Sequence, residues 1–257
     1  TQTSGSGAAG NLTLATGQLT VQGGGQIFAN SFGAGGGGNL TVNATDILLD
    51  GTNLATTFAS SLAANAVGSG NAGILKIASD RLTVQNGAQI GAGTFAAGNG
   101  GVLDITATES LLVRGQARAP SAIFTAATSA STGKAGTVAI RTGQLRVQDR
   151  AEITASANGT GDGGNLGITA NQVLVQEGGG IVASTFGSGR GGTLTIAARD
   201  FIEVTGRSLD GLTGSRLSVQ SAATATGNAG NLILETGRLT LQGGAQIDSS
   251  TFGSGQG

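Results

Sequence analysis

Residues 164–191 read GNLGITANQVLVQEGGGIVASTFGSGRG, and residues 230–257 read GNLILETGRLTLQGGAQIDSSTFGSGQG. Each opens on Gly-Asn-Leu, places apolar residues at alternate positions in three short runs, and closes on a Ser-Thr-Phe-Gly-Ser-Gly corner. With the opening Gly as a phase marker, equivalent positions fall at Gly10, Gly38, Gly73, Gly101, Gly136, Gly164, Gly192 and Gly230. The intervals are 28, 35, 28, 35, 28, 28 and 38 residues, so the units 38–72, 101–135 and 192–229 are long ones. A recurring period of this size is the signature of a stacked-repeat architecture.

The first run is the strictest. Two and four residues after the marker stand Leu12 and Leu14, Leu40 and Val42, Leu75 and Ile77, Leu103 and Ile105, and so on to Leu232 and Leu234, all aliphatic. The residue between them varies through Thr13, Thr41, Lys76, Asp104, Ala139, Gly167, Thr195 and Ile233. Period two with one constant face marks a strand with one side in a core. A second run repeats the pattern, as in Leu19 and Val21 or Leu82 and Val84. In the long units it slips by about one residue, to Ile47–Leu49, Leu111–Val113 and Phe201–Val204, as a bulge at the mouth of an inserted loop would make it do. A third run starts at Ile27, Ile90, Ile153, Ile181 and Ile247, and five residues later come Phe32, Phe95, Asn158, Phe186 and Phe252.

Three runs per unit with Gly-rich corners predict an all-β parallel β-helix of about eight coils, each with three strands, forming one continuous segment over 1–257. One coil cannot bury its own face, so stacking at ~4.8 Å per coil supplies the partner and gives a rod roughly 40 Å long. Corner glycines are expected to supply positive φ and tight turns. Leu54, Phe58, Leu62 and Ala66 are also spaced by four, which would suit an amphipathic helix. The matching parts of the other long units lack that stripe, so loop plus strand is the better common reading.

Composition narrows the chemistry. Of 257 residues 49 are Gly, and His, Cys, Met, Trp and Tyr are absent, which leaves no imidazole base, no thiolate and no nitrogen or sulfur metal site. With 13 basic against 14 acidic residues, no nucleic-acid footprint is visible. No window approaches the ~18 apolar residues of a membrane span, and no signal peptide is visible. Without any Met, and with no polar cap at either end of the array, the chain reads as a piece of a longer protein.

The segments GNLTL, TGQLTVQGGGQI and STFGSG, repeated at 164–191 and 230–257, resemble filamentous haemagglutinin-like exoproteins, the cyanobacterial members in particular. The resemblance spans essentially the whole chain and carries no catalytic motif. It implies a right-handed parallel β-helix shaft, exported through an outer-membrane partner of the two-partner secretion type, and acting at the cell surface in adhesion or as a fibre.

On that basis the expected function is a noncatalytic structural or adhesive shaft of a secreted surface fibre, with no cofactor or metal. Its partners would be flanking coils or end-to-end copies, and cell-surface or matrix polysaccharide. Contacts are expected in the long-unit loops, at Arg118 and Pro120 in the second and at Arg207, Asp210 and Arg216 in the third. A β-helix enzyme acting on polysaccharide is the main rival and needs carboxylates from neighbouring coils converging in a groove. Self-assembly into filaments through open strand edges is another.

Several weaker patterns carry bland readings. Asp46, Asp80, Glu109 and Asp200 lie near equivalent corners and could stack into an acidic row beside Arg81 and Arg199. Asp149, Arg150 and Glu152 form the densest charge cluster, where a Gly-Gly corner is usual. The Asp of Gly159–Gly164 occurs once, unlike tandem calcium repeats, and Gly133-Lys134 lacks the rest of a phosphate loop. Outward Thr columns, as an ice-binding array would need, are interrupted by Lys76, Asp104 and Arg146. Asn11, Asn39, Asn165 and Asn231 suggest corner hydrogen bonding.

Overall fold

A computed structural model of the chain describes residues 1–53, 55, 57–115, 119–222 and 225–255. Among them there is no helix, and the strands stack coil upon coil into a parallel β-helix. The register follows the Gly phase marker: Leu12 pairs with Leu40, Leu40 with Leu75, Leu75 with Leu103, and Leu166 with Leu194. Residues 1–9 continue the stack below the first coil, with Thr3 paired to Ser31.

The first and second runs are one strand. Leu12–Gln22, Leu40–Asp50, Ile74–Gln85, Val102–Arg114, Thr137–Gln148, Asn165–Gln176 and Thr193–Thr205 each carry both, and only the last coil divides them, into Asn231–Thr236 and Leu239–Gln242. The inward residues explain the bend in the strands that do not slip. Leu14 and Leu19 are an odd number of positions apart, so a flat period-two strand would expose one of them. The ladder instead lapses for a residue, at Gly17 in the first coil and Asn171 in the sixth, and the chain turns its corner there.

The slip of the second run is real in two long coils and sits at this same corner. Ser79 and Arg81 pair with Ala107 and Ser110, and Ala170 and Gln172 with Ala198 and Phe201, so an extra residue enters ahead of the second run. The first long coil does not slip, since Leu19 faces Ile47. Neither bulge lies at the mouth of an inserted loop.

The third runs form a second sheet of three-residue strands, Gln26–Phe28, Ser61–Ala63, Gln89–Gly91, Ala122–Phe124, Glu152–Thr154, Gly180–Val182, Arg216–Ser218 and Gln246–Asp248. The remaining side is a ladder of single bridges through Ser31, Ala66, Thr94, Ala127, Ala157, Thr185, Ser221 and Thr251. Among the described residues of 54–66 there is no helix. Ser61 donates its amide to Gly25 of the coil below, Leu62 is buried in the core, Phe58 projects into solvent, and Leu54 lies outside the described residues.

The core is narrow and continuous. The fourth coil buries Leu103, Ile105, Leu111, Val113 and Ile123, each worth about 1.5–3 kcal/mol before entropy is subtracted. Small side chains close the bridged side, where Ser31, Ala66, Thr94 and Ala127 are fully buried.

Two glycine roles separate here. The marker glycines have no positive φ; they are needed because stacked backbones touch. A Cβ on Gly73 would overlap the Gly38 carbonyl oxygen, one on Gly101 that of Gly73, and one on Gly136 that of Gly101. Positive φ occurs elsewhere, at the corner after the second run. Short coils there place two successive residues at positive φ, Gly23-Gly24, Asn86-Gly87, Asp149-Arg150, Glu177-Gly178 and Gly243-Gly244, the pattern of a type I′ turn.

Candidate functional site

The long coils leave the scaffold at one place, and all three do so through the same stem. Gly51, Gly115 and Gly206, with φ of 75°, 82° and 74°, turn the chain out, and Ser60, Ser121 and Ser215 bring it back. Each Ser amide donates to the carbonyl of its Gly at 3.0 Å. The buried Ser hydroxyls donate to Asp50, Arg114 and Thr205 carbonyls, each at 2.7 Å. They also accept amides from the coil below: Gly24 at 3.1 Å, Gly87 at 2.9 Å and Gly178 at 3.0 Å. Loops of different length and sequence thus share one closure. This device went unread in the sequence, although a Gly after the second run followed by a Ser just ahead of the third was its signal.

The third loop folds back over the two coils beneath it. Ser208 and Thr213 pair across its neck, with the Ser208 amide donating to the Thr213 carbonyl at 2.8 Å. Its tip exposes Leu209 and Leu212. Asp210, one of the expected contact residues, is engaged internally. It accepts from Arg150 at 2.6 Å, from the Ser208 hydroxyl at 2.6 Å and from the Leu212 amide at 3.0 Å. The Ser208 hydroxyl and the Leu212 amide hold its carboxyl below the usual carboxylate range. Arg216 pairs with Glu152 and lies over Gly180. Arg207 donates to the Gly211 carbonyl at 3.2 Å and lies against Gly244. Pro120 is half-buried at the return of the second loop, and Arg118 lies outside the described residues.

Arg150 stands where the loop-bearing corners have Gly. Added Cβ atoms at Gly24 and Gly178 would crowd Asn53 and Ser208 of the loops above them, whereas the coil above Arg150 carries no loop. Beside Arg150, Asp149 and Glu177 of neighbouring coils line one cleft, and the Asp149 carboxyl, with burial behind it, raises the Glu177 pKa. They share this cleft of ≈ 470 Å³ with Asn86, Ser208, Leu209 and Asp210.

A second concavity, of ≈ 310 Å³, lies on the outer face of the three-residue strands, beside the first loop. Its floor is Ala63 and Gly91, and its walls are Phe28 of the first coil and Phe124 of the fourth. The Phe124 ring lies flat over Gly91 and Gly93, which a Cβ at either position would obstruct. Phe58 of the first loop overhangs it with 59% exposure, and Ala119 of the second loop reaches its rim. The side-chain amides of Gln26 and Gln89 project from the same face with no hydrogen-bond partner among the described residues, and no described lining side chain is charged. A separate row of exposed aromatics, Phe32, Phe95, Phe186 and Phe252, follows the bridged side.

The expected acidic row is an alternating one. Arg81 donates to both Asp46 oxygens, at 2.6 and 3.0 Å, and to Glu109 at 2.9 Å, so charges of opposite sign follow each other up three coils. These contacts, Asp46 first, raise the Arg81 pKa. Asp80 accepts from Thr108 and Asp200 from Arg199. Asp162, in the calcium-like stretch, accepts the Arg190 amide and pairs with Lys134, which lowers its pKa. Asn71 and Asn99 make the equivalent bonds below it, to the Asn99 and Lys134 amides. Asn11 and Asn39 likewise accept amides of the coil above, from Asn39 and Ile74. Among the described residues no three Asp or Glu side chains are placed to share a metal ion.

Comparison with known proteins adds no relative: no family model, no curated protein and no solved structure matches this chain.

Proposed function

We propose that this chain is a noncatalytic structural and adhesive shaft of a secreted bacterial surface fibre. The observation that carries the reading is the common Gly-to-Ser stem, through which loops of different sequence leave an otherwise uniform rod on one side. Such a scaffold holds variable loops at fixed spacing without altering its coils. The resemblance to filamentous haemagglutinin-like repeats points the same way, and with it to an extracellular location, an outer-membrane secretion partner, flanking coils as neighbours and surface polysaccharide as ligand.

The test is binding of the labelled chain to its own cells, other cells and matrix, beside a version whose three loops are cut to 28-residue coils. Binding lost on trimming makes the rod adhesive through its loops. No binding by either version leaves a spacer. Cleavage of a polysaccharide would overturn the noncatalytic reading.

A second reading, an enzyme acting on polysaccharide, draws on the Asp149 and Glu177 carboxyls in their cleft. Glycosidic cleavage between two carboxyls needs them about 5 Å apart or more, with the bond between them. A reducing-sugar assay on the intact chain and on Glu177→Gln separates the two readings.

A further inference from the structure

We propose that the trough between Phe28 and Phe124 is a binding site for a neutral polysaccharide. The inference rests on the adhesive form of the function above and specifies its ligand class.

The argument starts from what the trough offers. The backbones of Phe28 and Phe124 stand three coils apart, about 14 Å at the usual strand spacing, with Ala63 on the floor between them and the Phe124 ring lying over Gly91. That is a shallow, elongated surface with an aromatic face at each end. Phe58 adds a third ring from the overhanging loop. Aromatic faces suit the C–H faces of sugar rings, and a few fixed polar groups among apolar ones give orientation. Gln26 and Gln89 supply those groups, since each free amide presents both donors and an acceptor to hydroxyls.

Charge excludes the acidic polymers. No described side chain lining the trough is ionised, so a uronate or sulfate chain would lose its water and gain no counter-charge. Backbone pairing excludes an added peptide strand. The strands of the floor are bonded to the coils above and below, and an extended peptide would find no open edge there. The flat lie of Phe124 over Gly91 and Gly93 sets the shape: a side chain at either position would lift the ring and fill the trough.

The experiment is affinity gel electrophoresis of the full chain through hydroxyethylcellulose, galactomannan and dextran, with alginate as the acidic comparison. At least one neutral polymer is expected to retard the chain, and alginate is not. Phe58→Ala and Gln89→Ala should weaken that association by about tenfold or more. Phe58 is exposed, so its loss does not depend on refolding, and Phe95→Ala, exposed on another side, should change nothing. No retardation in all three neutral gels, retardation by alginate alone, or equal retardation of the Phe58 and Gln89 variants would overturn the site. If cell binding persists and still requires the loops while the neutral gels fail, the adhesive reading stands and the ligand class falls. If both fail, both are wrong.

Discussion

Ser215 follows Thr205 by ten residues, and its hydroxyl donates to the Thr205 carbonyl at 2.7 Å, closing the third loop at its base. The same hydroxyl accepts the Gly178 amide, so one buried oxygen ties the loop both to its own coil and to the coil below. Replacement by Ala leaves both groups without a partner in a dry place.

Ser215→Ala is therefore expected to cost about 1–3 kcal/mol, felt first as local opening. Hydrogen exchange should show lost protection over 206–215 while the coils of the middle of the rod keep theirs. Unchanged protection of the loop would mean that the neck pairing of Ser208 and Thr213 suffices alone.

Gly136→Ala and Gly167→Ala should have opposite signs. A Cβ at Gly136 meets the Gly101 carbonyl oxygen, and stacked backbones cannot part locally, so a loss of about 3 kcal/mol or a failure to fold is expected. At Gly167 an added Cβ has open space, and the expected gain is roughly 0.5–1 kcal/mol from the lost freedom of the unfolded chain. Urea unfolding of the two variants checks the contrast.

Arg81→Gln breaks the alternation of charge between Asp46 and Glu109. Arg81 and Glu109 are exposed and Asp46 is only half-buried, so the expected fall in Tm is small, no more than about 2 °C, and it should vanish in ~1 M salt. A loss that persists in high salt would point to packing of the guanidinium stem.

Glu177→Gln should stabilise the protein at neutral pH. Contact with Asp149 raises the folded-state pKa of Glu177, so the folded protein holds this proton more tightly than the unfolded chain does. The favourable contribution is complete below the unfolded pKa of about 4.3 and is lost as pH rises through the raised folded value. At pH 7 the variant should gain about 1–2 °C, and near pH 4 the gain should disappear. Equal Tm differences at both values would exclude the repulsion.

Asp210 works in the opposite direction. Its pKa is lowered by the Ser208 hydroxyl and the Leu212 amide, so its contribution is complete above the ordinary carboxylate range and fades as pH falls through the lowered value. Asp210→Asn should loosen residues 206–213 at pH 7, read as faster exchange of the Leu212 amide, whereas the parent loop should loosen only in acid.

Much of the scaffold was legible because the coil is a one-dimensional object. Alternation at Leu40 and Val42 names a buried face, and a marker Gly every 28 or more residues names the partner on the next coil. In the coils without a slip the two runs read as separate strands because their spacing jumps by an odd number, and that jump is the bend of a single strand. The corner glycines after the second run supply the expected positive φ, whereas the marker Gly has a different reason, admitting the carbonyl of its neighbour.

The loops were legible as insertions, and their pairings with other coils were not. Asp210 and Arg216 stand out in a sequence with few charges, yet the fold pairs them with Arg150 and Glu152 of another coil, sixty or more residues away. The neutral trough left no such trace, since Phe28 and Phe124 come from coils one and four and the Phe124 ring lies flat only because Gly91 and Gly93 carry no side chain.

The sequence by itself determined the coil, its period, its inward face and the three places where it lengthens, because period-two patterning and stacked identity are local properties repeated eight times. Only the tertiary structure decided which side chains of different coils meet. Neighbours across coils are set by the number of residues in each corner and loop, and a shift of one residue there moves a side chain to another column.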